Sequence, residues 1–207
     1  MSNLTPSIAD GDPGAYETLI LGIGNILWAD EGFGIRAIES LHERYTFPDT
    51  VRVMDGGTQG IFLLPWVRNA KRLLIFDAVD FGLAPATLKV IRDDDVPRFM
   101  GAKKVSMHQT GFQEVLASAD LAGDLPSQMV LIGVQPELLD DYGGSLRSSV
   151  KAKIDPAIER GLEILDEWDV NWQLRNDSLT REEHIGPTAL DIQDYENERP
   201  STGGEPV

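Results

Sequence analysis

Three uninterrupted apolar runs, TLILGIG (18–24), RLLIFDAV (72–79) and MVLIGVQ (129–135), constrain the fold of this chain more than any other feature. A strand with one wet face alternates apolar with polar residues, whereas a run without alternation is covered on both faces. Segments with helical spacing separate the runs. DEGFGIRAIESLHERY (30–45) reads as a helix, with Asp30 as candidate N-cap and Ile35, Ile38 and Leu41 on one face. Phe112, Val115, Leu116 and Ala119 mark another, and 147–168 a third, with Ile154, Ile158, Gly161, Leu162 and Leu165 as its inner stripe and Pro156 near its first turns. VRVMD (51–55) is a further strand, followed by the turn GGTQG and a short helix over 61–67. TLKVIR (87–92) alternates and suits a sheet edge. The expected fold is a three-layer α/β domain: a mostly parallel, twisted five-stranded sheet flanked by helices on both faces.

That domain is expected over 17–170, between a flexible extension (1–16) and an acidic tail (171–207). The tail lacks a sustained apolar period and is expected to be mostly disordered, with Trp172, Leu174, Leu190 and Ile192 able to dock locally.

In an open parallel sheet, ligands bind in the crevice at the carboxyl ends of the strands. Glu31 follows the first run after a short turn, Asp77 closes RLLIF, and His108 opens the helix that begins near QTGFQEVL. Two carboxylates and an imidazole form an oxygen/nitrogen donor set suited to a borderline divalent metal. Taken singly, each has an ordinary explanation: acids cap helices or solvate strand ends, and a histidine can sit in any loop. Asp55, ending the second strand, adds a third acid at the same end, and acids crowded without a cation or proton repel one another. His42, beside Glu43 and Arg44, reads as a solvated helix residue, and His184 as a surface residue of the tail.

Composition removes several alternatives. A net charge of −16 repels nucleic-acid phosphates. With no cysteine there is no disulfide framework, thiolate metal site or cysteine nucleophile. The N-terminus has neither the basic nor the apolar region of a signal peptide, and no run is long enough to span a bilayer, so the expected location is the cytoplasm. GxSxG, HExxH and GxxxxGK[ST] are absent. Gly22 and Gly24, with Asp55 as a ribose-binding acid, keep a dinucleotide-binding reading open. Against it, Leu27 stands where the third glycine belongs, and Asp30 and Glu31 put negative charge where pyrophosphate would sit.

Taken in order, GIGNILWADEGFGIRAIESL, MDGGTQG, LLIFDAVDFG, SMHQTG and LIGVQPE resemble the nickel–iron hydrogenase maturation endopeptidases over about 18–168. The resemblance implies a twisted sheet between helices. It also implies removal of a C-terminal extension from a hydrogenase large-subunit precursor after nickel insertion, by an aspartic-type peptidase. The family's metal-contacting positions match Glu31, Asp77 and His108, with the nickel supplied by the precursor. The family's DGGT loop matches Asp55, Gly56, Gly57 and Thr58, candidates for substrate positioning, although a plain strand-to-helix turn explains them equally well. A transient complex with the precursor is expected, and a monomer is the simplest resting state because cleavage needs no symmetry. The competing role is a non-enzymatic chaperone that holds or checks nickel with the same three residues.

Overall fold

A computed structural model describes residues 14, 16–102, 107–180 and 183–185; for 99–102 and 107–110 only the backbone is described. Strand β1 (Thr18–Ile23) is buried throughout and leads into a one-turn 3-10 helix, Ala29–Gly32, and then helix α1 (Phe33–Arg44). Strands β2 (Tyr45–Thr46) and β3 (Val51–Gly57) follow, then a second 3-10 turn, Gly60–Leu63, and helix α2 (Leu64–Asn69). Next come β4 (Arg72–Ala78), β5 (Leu88–Arg92), α3 (Asp95–Ala102), α4 (Met107–Ala122) and β6 (Gln128–Val134). Helices α5 (Ser148–Lys151) and α6 (Ile154–Glu167) and strand β7 (Gln173–Leu174) complete the described order.

The main sheet has five strands in the order β3-β1-β4-β6-β5. The first four are parallel, and β5 joins β6 antiparallel at the edge, where its alternating pattern requires only one buried face. Side chains alternate between two cores. Leu19, Leu21, Met54, Leu73 and Ile75 pack against Trp66 and Val67 of α2, Val96 of α3, and Phe112, Val115 and Leu116 of α4. Ile20, Val53, Leu74 and Phe76 pack against Phe33, Ile38 and Leu41 of α1 and Ile158, Leu162 and Leu165 of α6. The expected three-layer architecture, with helices on both faces, is present. No described helix is long and apolar enough to cross a membrane.

Local boundaries differ from the sequence reading for physical reasons. Asp30 does not cap α1: Gly32 holds that position without a side-chain cap, and Asp30 is spent elsewhere. The helix expected over 147–168 breaks at residues 152–153, and Pro156 falls in the first turn of α6, where its missing N–H costs no helical bond. Tyr16, assigned to the flexible extension, is buried, stacks on Trp66 and donates its hydroxyl to the Trp66 carbonyl at 2.5 Å.

The start of the acidic tail is also docked. Strand β7 pairs antiparallel with β2, Trp172 meets Tyr45 edge-on, and Arg175 donates its guanidinium to the carbonyls of His42 and Tyr45. His42 is therefore half-covered rather than freely solvated. Its Nε2 lies 2.9 Å from the Glu183 carbonyl, and burial lowers its pKa. Leu190 and Ile192 lie outside the described residues.

Candidate functional site

Because β1, β4 and β6 are parallel, the loops that leave their carboxyl ends share one end of the sheet. The β1 loop doubles back sharply. Gly24 has φ +143°, and a Cβ there would fall 1.9 Å from the Glu31 carbonyl oxygen, so only glycine fits. The return brings Asn25 N–H to that carbonyl at 3.1 Å, while Glu31 N–H donates to Trp28 at 2.9 Å. Glu31 is half-buried in the 3-10 turn, which packs against β4. Helix α1 then starts directly over the two strands: a Cβ at Gly34 would lie 2.2 Å from the Phe76 carbonyl and 2.3 Å from that of Ile23. Asp77 is the residue after Phe76. Its side chain is fully buried, on the face shared with Leu73 and Ile75, which is the α4 side.

Helix α4 approaches from that side. It is followed by the parallel strand β6, so it must run against the strands, with its first turn at their carboxyl ends. A side chain at Gly111 would begin 3.2 Å from the Gly60 Cα, which seats this turn on the loop after β3. His108 belongs to the first turn of α4, so its backbone reaches the end of the sheet that carries Glu31 and Asp77. Its side chain lies outside those described. Among the described residues, no group of three or more His, Asp or Glu gathers closely enough to hold a metal ion.

The Asp55–Thr58 segment divides. Asp55 pairs with Gly22 and shares a face with Val53, the α1 side, whereas Gly56 packs on Leu21 and Ile23 on the opposite face. Burial raises the Asp55 carboxyl pKa, opposed in part by the Gly57 N–H and the charge of Arg36. Its Oδ1 is sealed from solvent and has no hydrogen-bond partner among the described residues. Asp55 and Asp77 therefore face opposite sides of the sheet. Thr58 is exposed on the turn that leads toward α4.

Two residues organise this end without having been singled out for it. Asp30 is 0% exposed and accepts three backbone N–H bonds, from Glu137 (2.9 Å), Leu138 (2.9 Å) and Arg147 (2.7 Å). Gln135 is buried at the end of β6. Its Oε1 accepts from the N–H groups of Phe81 (2.7 Å) and Leu83 (3.1 Å), and its Nε2 donates to Asp80 (3.0 Å). Gln135 thereby fixes the loop after β4, and Asp30 the loop after β6. The only signal in the chain was the motif LIGVQPE, which places Gln135 at a strand end without naming its partners. The dinucleotide reading loses ground here. The space beside Gly24 is filled by the Glu31 carbonyl, and Leu27 is exposed on the loop.

Comparison with known proteins gives a consistent result. Residues 35–164 match the family model described as hydrogenase maturation protease. The hydrogenase expression/formation protein HoxM of Azotobacter vinelandii is 57% identical over 187 residues, covering 90% of this chain and 89% of that protein. The hydrogenase 2 maturation protease of Escherichia coli is 43% identical over 150 residues, or 72% of this chain and 90% of that one. Among solved structures, the hydrogenase maturating endopeptidase HybD of E. coli superposes with a TM-score of 0.74 at 40% identity, over 78% of this chain and 99% of that one.

Proposed function

The chain belongs to the hydrogenase maturation protease family, and from that premise we propose that it removes a C-terminal extension from the large-subunit precursor of a nickel–iron hydrogenase once nickel has been inserted. The nickel is part of the substrate, brought by the precursor. The observation that carries this reading is the packing of the Glu31 turn against β4, whose end bears the buried Asp77, at the end of the sheet toward which the chain direction turns the start of α4. Carboxylate and imidazole donors accept nickel, while equally admitting other first-row metals. Glu31, Asp77 and His108 in this reading contact the substrate's nickel, so that only the loaded precursor is seated with its scissile peptide oriented for attack.

Hydrolysis is then of the carboxylate type. A water attacks the peptide carbonyl as a carboxylate at this end of the sheet takes its proton, and that proton then passes to the departing nitrogen as the C–N bond breaks. Glu31 is the better placed of the two acids, being half-buried where Asp77 is fully enclosed. The Gly57–Thr58 turn is a candidate to position substrate backbone, and Asp55, turned to the other face, supports that turn from behind. The complex is transient, the resting protein a monomer, and the reaction cytoplasmic.

The test is the intact mass of a hydrogenase large-subunit precursor after incubation with the protein, nickel-loaded beside nickel-free. A discrete C-terminal mass loss in the loaded sample alone is expected. Equal cleavage of both samples would remove nickel recognition. Complex formation without cleavage in either would assign the chain to nickel checking rather than proteolysis.

A further inference from the structure

We infer that Asp30 is a positioning residue: its carboxylate locks the loop after β6 (135–147) onto the loop after β1, and so fixes Glu31 beside it. The role of Glu31 rests on the proposed function; the lock itself does not. Three backbone amides from 107, 108 and 117 residues away converge on one fully buried carboxylate. Charge-assisted bonds to a buried acceptor are strong and are costly to leave unmade. Further bonds join the same two loops. Asp30 N–H donates to the Leu138 carbonyl at 3.2 Å, and Gly143 N–H donates to that of Leu27 at 2.7 Å. Trp28 and Tyr142 form an isolated bridge and an edge-to-face ring contact.

The backbone beside Asp30 explains why a lock is needed. Ala29 has φ +37°, in the left-handed region that a side chain disfavours, and it is buried. Such a conformation persists only where its surroundings over-determine it, and it clusters at working sites. Relaxing Ala29 would swing Glu31, two residues on, out of register with β4. Asp30 therefore holds a strained turn in the geometry that presents its neighbour. Sequence adjacency conceals a division of labour: Asp30 is enclosed and fully bonded, whereas Glu31 is turned partly to solvent.

The test compares wild type, Asp30→Asn and Tyr142→Ala in the full chain, by hydrogen exchange and by cleavage of the nickel-loaded precursor. In Asp30→Asn, exchange across 26–32 and 137–147 should rise about tenfold or more, with 72–78 and 128–134 unchanged. The kcat should fall while KM moves little, because substrate still docks but the turn beside it wanders. Tyr142 is 68% exposed, so its removal does not threaten folding. It should raise exchange in the same two segments by a smaller factor, and it carries the test if Asp30→Asn does not fold. Unchanged exchange in both segments, or a rise spread evenly through the central strands, would overturn the inference, as would full kcat in a loosened variant. If wild type cleaves nothing, the functional reading fails while the exchange result still decides whether the lock exists.

Discussion

The two ends of the same sheet use acidic residues in opposite ways. At the amino end, acids stand in solvent against basic partners: Glu17 with Lys71, Asp124 with Arg68, and Glu167 with Arg92, all at least 42% exposed. At the carboxyl end, Asp30 and Asp77 are fully buried and the Oδ1 atom of Asp55 is sealed, with backbone amides doing much of the bonding. Exposed pairs contribute little to stability, and their charges serve mainly solubility. Burying a carboxylate is costly, so acids enclosed at one end of a sheet mark where stability has been given up for another purpose. The contrast agrees with the end of the sheet at which the proposed function places its chemistry.

The largest effect should come from Glu31, the more exposed of the two candidate acids. Glu31→Gln should lower processing of the nickel-loaded precursor by at least about a hundredfold, with an unchanged denaturation midpoint. Precursor cleavage by mass spectrometry and urea unfolding check the two halves of that statement, and a parallel loss of stability would erase the contrast between the two ends. Asp30→Ala should lower stability as well as processing. It leaves three buried N–H groups without their acceptor and should lower unfolding free energy by about 3 kcal/mol, seen as a reduced urea midpoint.

Asp55 sharpens the comparison through pH. Burial raises its folded carboxyl pKa above the unfolded value, so its contribution is favourable below the ordinary carboxylate range and is lost as pH rises through the raised value. Asp55→Asn should therefore be more stable than wild type at neutral pH, with the gain shrinking as pH falls toward that range. Urea midpoints across pH read this directly, and a gain that grows on acidification would contradict the assignment. The smallest effect is expected at the other end: Arg68→Ala, which removes the ion pair with Asp124, should cost no more than about 1 kcal/mol and leave cleavage untouched.

What could be read in the sequence follows from how local the information is. The three apolar runs carry their burial in their own composition, so the parallel sheet and the edge position of β5 were both legible, as was the end of the sheet to which Glu31 and Asp77 belong. The different fates of Asp30 and Glu31 were not, because the partners of Asp30 lie more than a hundred residues away. Two-residue strands such as β2 and β7 are too short to show a period, so Trp172 and Leu174 were legible as residues able to dock, but their partner β2 was not. Tyr16 was hidden by its Pro- and Gly-rich surroundings, although the ring it stacks on, Trp66, sits in an obvious apolar stretch.

The most direct test of the contrast is Asp77→Asn, followed in one preparation by precursor cleavage and by urea denaturation. The account predicts that cleavage of the nickel-loaded precursor is lost while the midpoint holds or rises, since a neutral amide replaces a fully buried acid of similar shape. Retained cleavage would contradict the assignment of this end of the sheet as the working one.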